Sequence, residues 1–426
     1  MAGAVTTGPG SIGAALRGAG SRQRRQGWLM ALLALPLLVF IVVVFLWPVG
    51  KFLSLSWDNS DIADNLVRTS VALSDWTARD RTPDDAVFRA LVADLADAKH
   101  NGQDGVLAQL INQRVVGTRF LVIKTATDAQ DGKFGAEPSR AAVLAAYPAW
   151  DNPALWNAIA LDRGTVTDHY LLATVDLKRN ADGSISSVPP DRAIFVDILL
   201  RTVWISAVVT VVCALLALPL AQAIVSAPPG WSRLMFALVL FPLWTSLLVR
   251  TIVWIIVLQK NGPVNAMLVL TGLTDQPLSL IYTRFSLYVA MVQVLLPMMV
   301  LSIVSVMRRV PHTYMRAALS LGAPWFTAWR RVQLPLILPG ILAGGSIVFV
   351  FALGFYITPT LVGGPGDQMI SSYIAFYTNT TLNWGMAAAL SLQLLLVLIV
   401  GGLLFFSARR LAGGLLRSTP PPDAPG

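Results

Sequence analysis

Six long apolar stretches constrain this chain more than any other feature. They run near 28–49, 199–225, 234–258, 285–307, 340–361 and 385–407. A helix rises ~1.5 Å per residue, so about 20 residues cross ~30 Å of hydrocarbon. Within that medium each backbone N–H and C=O must be satisfied internally, and an isolated apolar segment does so only as a helix. The expectation is an all-α polytopic membrane protein with six transmembrane helices. Charged residues make up 13% of the 426 residues, about half the usual share in soluble domains.

The first stretch follows Arg17, Arg22, Arg24 and Arg25, as the core of a signal peptide would. Its apolar run exceeds the usual ~7–15 residues and no small-x-small cleavage site closes it. It reads as a retained anchor at 28–49 behind a basic tail at 1–27.

Charge then sets topology. The formal net charge is +9, yet the basic residues do not gather into one patch, which argues against a nucleic-acid partner. Of 23 acids, 20 lie between Asp58 and Asp197, and the first 57 residues have none. With the N-terminus inside, the cytoplasmic segments hold Arg233, then Arg308, Arg309, Arg316, Arg330 and Arg331, then Arg409, Arg410 and Arg417. The short outer loops hold Lys260 with Asp275, and later Asp367 with no Lys or Arg. Excess Arg on one side of every short loop is the positive-inside pattern. Both termini, including the tail at 411–426, are expected in the cytoplasm.

The region 50–196 is polar and reads as a folded extracytoplasmic insert between the first two spans. In "TPDDAVFRALVADLADA", Thr82 is the expected N-cap, Pro83 the first helical residue, and Phe88, Leu91, Val92 and Leu95 share one face. "RFLVIKTAT" looks like a strand and "YLLATVDLKRNADGSISSV" like a hairpin turning at Asp182-Gly183. A mixed α/β cap is expected. Its 15 bases from Lys51 to Arg192 nearly balance 19 acids from Asp58 to Asp191, so strong capture of a polycation is not expected of it.

The segment 308–335 interrupts the apolar runs with "MRAALSLGAPWFTAWRRVQLPLILPG" at 315–340. It reads as helix, break, helix. Gly322 supplies a left-handed turn, Ala323-Pro324 restarts the chain, and Pro335 and Pro339 mark the return to the membrane. An ordinary basic loop is the simpler reading. Against it, Trp325, Phe326 and Trp329 stand beside Arg330 and Arg331, the aromatic-plus-arginine mixture that protein interfaces favour.

The spacing Arg316-Ala317-Ala318-x-x-x-Gly322, nine residues, then Val332-x-Leu334-Pro335 resembles the "EAA" signature of binding-protein-dependent ABC importer permeases. The resemblance extends over roughly 198–408. "FPLWTSLLVRTIVW", "NGPVN", "VQVLLPMMVLSIVSVMRRV", "LPGILAG" and "TPTLVGGPGDQMI" look like the spermidine/putrescine branch. Arg316 departs from it, standing where the signature has glutamate.

What the resemblance implies is a permease domain at 197–410, with coupling helices in the loop seated in a groove of a cytoplasmic ATP-binding subunit. Arg316, Ala317, Ala318, Gly322, Ala323, Trp325, Arg330, Leu334 and Pro335 would form that contact. No cofactor is expected in this chain; ATP and Mg would be bound by the partner ATPase. A second, different permease, a periplasmic substrate-binding protein and membrane lipid would be the other partners, in a bacterial inner membrane. Polyamines are the implied cargo, with opines or other solutes open.

Charged and aromatic residues within spans have two readings. An arginine costs about 2.5–3.5 kcal/mol at mid-bilayer and less where it snorkels. Arg201 pairs with Asp197 by i, i+4 spacing, whereas Arg250 has no such neighbour. Trp204, Trp244, Arg250, Trp254 and Tyr356, with Tyr282, are candidates for a substrate route; singly, each aromatic is also a common packing or interfacial anchor. Enzyme chemistry has little support. No G-x-x-x-x-G-K-[ST] occurs, and His100, His169 and His312 are scattered surface residues with no metal spacing. Cys213, the sole cysteine, is a packing residue. A sensor would also place an insert between two spans, but four more spans follow; a secondary transporter would normally carry an acid inside a span.

Overall fold

The computed structural model describes residues 33–76 and 80–417. The arginines at 17, 22, 24 and 25, the start of the expected first span and the last residues of the tail lie outside the described residues. Residues Met1–Leu55 and Ser56–Gly426 form two separate units. In the first, α1 (Leu33–Ser54) is apolar and has no buried residue, with a π-helical stretch at Val42–Leu46.

The second unit begins with the segment that precedes the second span. It contains α2 (Asp85–His100), α3 (Asp104–Arg114), α4 (Arg119–Gln130), α5 (Pro153–Leu161), α6 (His169–Ala173) and a hairpin of β1 (Leu177–Arg179) and β2 (Ile185–Ser187). Phe88, Leu91 and Leu95 of α2 pack with Leu107, Ile111, Val122, Trp150 and Trp156. Each such burial is worth roughly 1.5–3 kcal/mol, enough for a small core. The two indoles are satisfied inside it: Trp150 donates to Thr125 Oγ1 at 2.9 Å and Trp156 to the Trp150 carbonyl at 2.8 Å.

Two sequence expectations change here. "RFLVIKTAT" is the helix α4, because Leu121, Val122, Thr125 and Ala126 all turn to the core at helical spacing. Its β-branched residues favour a strand locally, but packing on α2 and α3 overrides that preference. The N-cap of α2 is Asp84, which accepts from the Val87 N–H, and Thr82 instead donates to Asp151 at 2.9 Å. The hairpin is as expected: Gly183 has φ +82°, and Asp182 Oδ1 accepts from the Ser184 N–H at 2.9 Å. The segment is therefore helical, with one two-stranded sheet among its described residues.

Among the described residues, six helical stretches are long and apolar enough to cross a membrane. After α1 the bundle comprises α7 (Phe195–Ser226), α8 (Pro229–Leu240), α9 (Leu247–Leu258), α10 (Pro263–Leu270) and α11 (Arg284–Met307). Then follow α12 (His312–Ser320), α13 (Trp325–Ala328), α14 (Leu334–Leu353), α15 (Ile357–Val362), α16 (Ile370–Asn379) and α17 (Trp384–Arg417). The expected third span, 234–258, is broken. Pro242 has no N–H to continue α8, and the chain passes through a 3-10 turn at Phe241–Trp244 before α9 restarts. The expected fifth span, 340–361, starts earlier and also breaks. Helical structure runs from Trp325 through a π-turn at Trp329–Gln333 to Leu353, then stops at Gly354.

The centre of the bundle is α7, α11 and α14. Ile205, Val209, Cys213 and Ala217 meet Leu287, Met291, Leu295 and Met299, with Ile337 and Val348 completing the layer. Cys213 is fully buried, as expected of a packing residue. Gly340 and Gly344 allow α14 to lie close to α11: an added Cβ would stand 2.9 Å from Val306 Cβ and 2.8 Å from Met299 Sδ respectively. Small residues four apart let helix backbones approach in this way.

The segment before the second span is fastened to the bundle at three places. Asp176 accepts from the backbone N–H groups of Ile194, Phe195 and Val196 at 2.8–3.0 Å, capping α7. Gln393 of α17 donates to the Thr174 carbonyl at 2.7 Å, and Gln109 of α3 donates to the Leu382 carbonyl at 2.9 Å.

Candidate functional site

The basic loop folds as helix, turn, helix. After α12 the chain closes through Leu321 N–H to Ala317 O at 3.0 Å, Gly322 N–H to Leu319 O at 3.0 Å and Ala323 N–H to Ala318 O at 3.2 Å. Gly322 sits at φ +82°, the left-handed conformation expected of it, and Pro324 then caps α13. Because α13 continues through the π-turn into α14, the loop's second half is built onto a span.

The outward surface is aromatic and basic. Trp325 and Phe326 are 58% and 60% exposed, and each stacks near Trp329, with ring centroids at 6.4 and 6.1 Å. Arg316, Ala317, Arg330, Arg331 and Pro335 are exposed, while Ala318, Ala323 and Leu334 are half-buried. None of the three arginines has a hydrogen-bond or ion-pair partner among the described residues. Such a surface suits a partner with an acidic, apolar-lined groove, since exposed rings of this size are what interface centres bury.

Beside it lies a cleft of about 430 Å³ lined by Gln222, Ser226, Pro311, Tyr314, Arg316 and Gln333 among others. Gln333 donates to Gln222 at 2.6 Å, tying the loop's return to α7. The loop is thus linked to two helices, to α7 by this hydrogen bond and to α14 by chain continuity.

The candidate route residues are placed less compactly. Trp204 of α7 is 62% exposed and Trp244, in the break between α8 and α9, is 83% exposed. Trp254 of α9 is half-buried. Tyr356 lines a pocket of about 300 Å³ with Leu247, Phe351 and Phe355, which brings it beside the start of α9. None of the other five candidates, Trp204, Trp244, Arg250, Trp254 and Tyr282, lines that pocket. Asp197 and Arg201 pair as their spacing indicated.

Sequence spacing gave no sign of a second ion pair. Arg284 donates to Asp367 at 2.7 Å, across 83 residues. The same corner is closed by Ser286 donating to the Val362 carbonyl at 2.7 Å and by the Ile370 N–H donating to Thr202 at 2.9 Å. It holds the segment after α15 against the starts of α7 and α11. Only the conjunction of one acid and one arginine in otherwise apolar surroundings could have pointed to it.

Known proteins give the surface its context. Residues 202–413 match the family described as binding-protein-dependent transport system inner membrane component. The chain is 29% identical over 201 residues to the spermidine/putrescine transport system permease protein PotB of Haemophilus influenzae, covering 47% of this chain and 70% of the relative. It is 30% identical over 198 residues to the molybdenum transport system permease protein ModB of Mycobacterium bovis, covering 46% and 73%. A crystal structure of a bacterial alginate ABC transporter, in complex with alginate pentasaccharide-bound periplasmic protein, aligns with a TM-score of 0.41 at 19% identity. That alignment covers 48% of this chain and 75% of the other.

Proposed function

The chain belongs to the binding-protein-dependent inner membrane components, as a multi-pass permease subunit of an ABC importer whose ATPase activity lies in a separate subunit, and from that premise we propose how it works. The loop at 308–335 faces the cytoplasm and is the docking element for the ATP-binding partner. Arg316, Ala317, Ala318, Gly322, Ala323, Trp325, Arg330, Leu334 and Pro335 form the contact. The observation that carries this reading is the exposed Trp325/Phe326/Arg330 surface on a loop joined at its C-terminal end directly to α14.

ATP and Mg are bound by the partner, whose closure pulls on α12 and α13. The pull passes along the π-turn to α14 and, through Gln333 and Gln222, to α7. Packed helices shift as rigid bodies between discrete arrangements, which is how alternating access is produced. On this reading residues 50–196 stand outside as an insert that receives the periplasmic binding protein, and both termini are cytoplasmic. A second, different permease completes the pathway.

The cargo we propose is a polyamine or similar small amine, supported by the PotB relative and by the aromatic side chains at Trp204, Trp244, Trp254 and Tyr356, whose ring faces attract cations. The family also includes permeases named for other cargoes, so opines and other solutes are the competing class. Uptake of labelled spermidine or putrescine by cells carrying the whole transporter tests this. Accumulation that depends on this chain supports it; loss of another solute's uptake with polyamine uptake unchanged replaces it.

A further inference from the structure

We propose that the open face of α9 is the contact for a different membrane subunit, which sets a carboxylate against Arg250; this rests on the permease reading above. The guanidinium is the reason. Arg250 Nε and Nη1 are enclosed by the chain itself and have no hydrogen-bond partner, and no acid pairs with this arginine among the described residues. A snorkelling arginine would end in water or headgroups, whereas this one has two of its three nitrogens shut in. Arg250 is half-buried as a residue, yet two of its nitrogens are enclosed and unpaired on a helix of the bundle, and a counter-charge arriving from outside at the Nη2 edge would satisfy them.

The surroundings say what brings it. Leu248, Val249, Ile252, Val253 and Ile256 of α9 are each 48–56% exposed, a broad apolar face on either side of Arg250. Lipid tails would cover such a face but would not answer the charge. A second copy of this chain would not answer it from its spans either. From residue 198 onward the sequence has only Asp275, Asp367 and Asp423 as acids. Asp367 is committed to Arg284, Asp275 lies in the loop beyond α10, and Asp423 is in the terminal tail. A different helix-bearing subunit with an aspartate or glutamate in a span fits both the apolar face and the charge.

The test uses the complete transporter, purified through a tag on this chain and counted by native mass spectrometry. The expected particle has one copy of this chain, one different membrane subunit and the ATPase. Arg250→Glu should lower recovery of the different membrane subunit about tenfold or more, and Arg250→Gln by an intermediate amount, while the ATPase stays bound to the loop. Arg250→Lys should retain the subunit, and changing one acid in that subunit's spans to Lys should restore recovery with Arg250→Glu. Two copies of this chain per particle, or undiminished recovery with Arg250→Glu and Arg250→Gln, would overturn the proposal. Intact assembly with lost uptake would instead assign Arg250 to an anionic cargo. Absence of any ATPase from the wild-type particle would overturn the permease reading itself.

Discussion

The ring of Tyr170 occupies the space in which a side chain at position 385 would stand: a Cβ on Gly385 would lie 2.3 Å from Tyr170 Cε2. Tyr170 is buried, its hydroxyl donates to Gln113 at 2.9 Å, and Ile198, Ile370 and Leu390 pack around it. One residue of α6 thus fixes the start of α17 against the segment before the second span. Gly385→Ala should destabilise this junction by about 1–3 kcal/mol, because a fixed ring has to move. Thermal unfolding and trypsin cleavage of the purified variant would show it. The cost should shrink when Tyr170→Ala is added, since the two residues share one space.

Gly322 makes a different kind of demand. A Cβ there would meet nothing within 4 Å, so any cost of substitution comes from φ +82° alone. Gly322→Val should reduce substrate uptake severely while the separate binding protein still takes up its ligand. Gly322→Asn should retain more activity, because Asn tolerates the left-handed region. Near-normal uptake by a well-inserted Gly322→Val variant would count against the loop as coupling element.

The number of spans, the Gly322 turn, the Asp182-Gly183 hairpin and the Phe88–Leu91–Leu95 face are local patterns, and each was legible. The strand expected at 119–127 failed because β-branched content and helical burial conflict there, and only packing decides. The breaks at Pro242 and Gly354 fall inside apolar runs, where hydropathy cannot show where a helix stops. Arg284 with Asp367 and Tyr170 with Gly385 are distant in sequence, so no spacing rule announces them. In the loop, sequence named the exposed surface but not the hydrogen bond from Gln333 to Gln222.

Arg316, the residue at which the loop departs from the signature it resembles, is exposed and lines the cleft beside α12. A partner groove with a compensating acid would suit it together with Arg330 and Arg331. Arg316→Glu should then weaken ATPase association about tenfold, ~1.4 kcal/mol, with a larger effect at low salt. An acid-to-Lys change in the facing groove should partly restore it. Unimpaired association and uptake at low and high salt alike would place Arg316 at a solvated rim.

The insert is nearly neutral and fastened to α7 and α17, which suits a docking and bracing role. Replacing residues 60–160 with a short linker should reduce binding-protein docking more than it alters substrate ranking, measured by competition uptake. Asp176→Ala should leave docking intact but lower the unfolding temperature, because three backbone donors at the start of α7 lose their acceptor. An altered ranking with unchanged docking would remove this role.

The most direct measurement is a cross-link from the loop. In a Cys213→Ala background, Trp325→Cys provides a single thiol on the proposed contact surface, and Cys213 is the only cysteine to remove. A short heterobifunctional reagent, thiol-reactive at one end and photoactivated at the other, applied to inside-out vesicles of the complete transporter should join position 325 to the ATP-binding subunit. The yield should change when ATP is added. A thiol at 325 that reacts with a membrane-impermeant maleimide in intact cells, and forms no cross-link to the ATPase, would contradict the account.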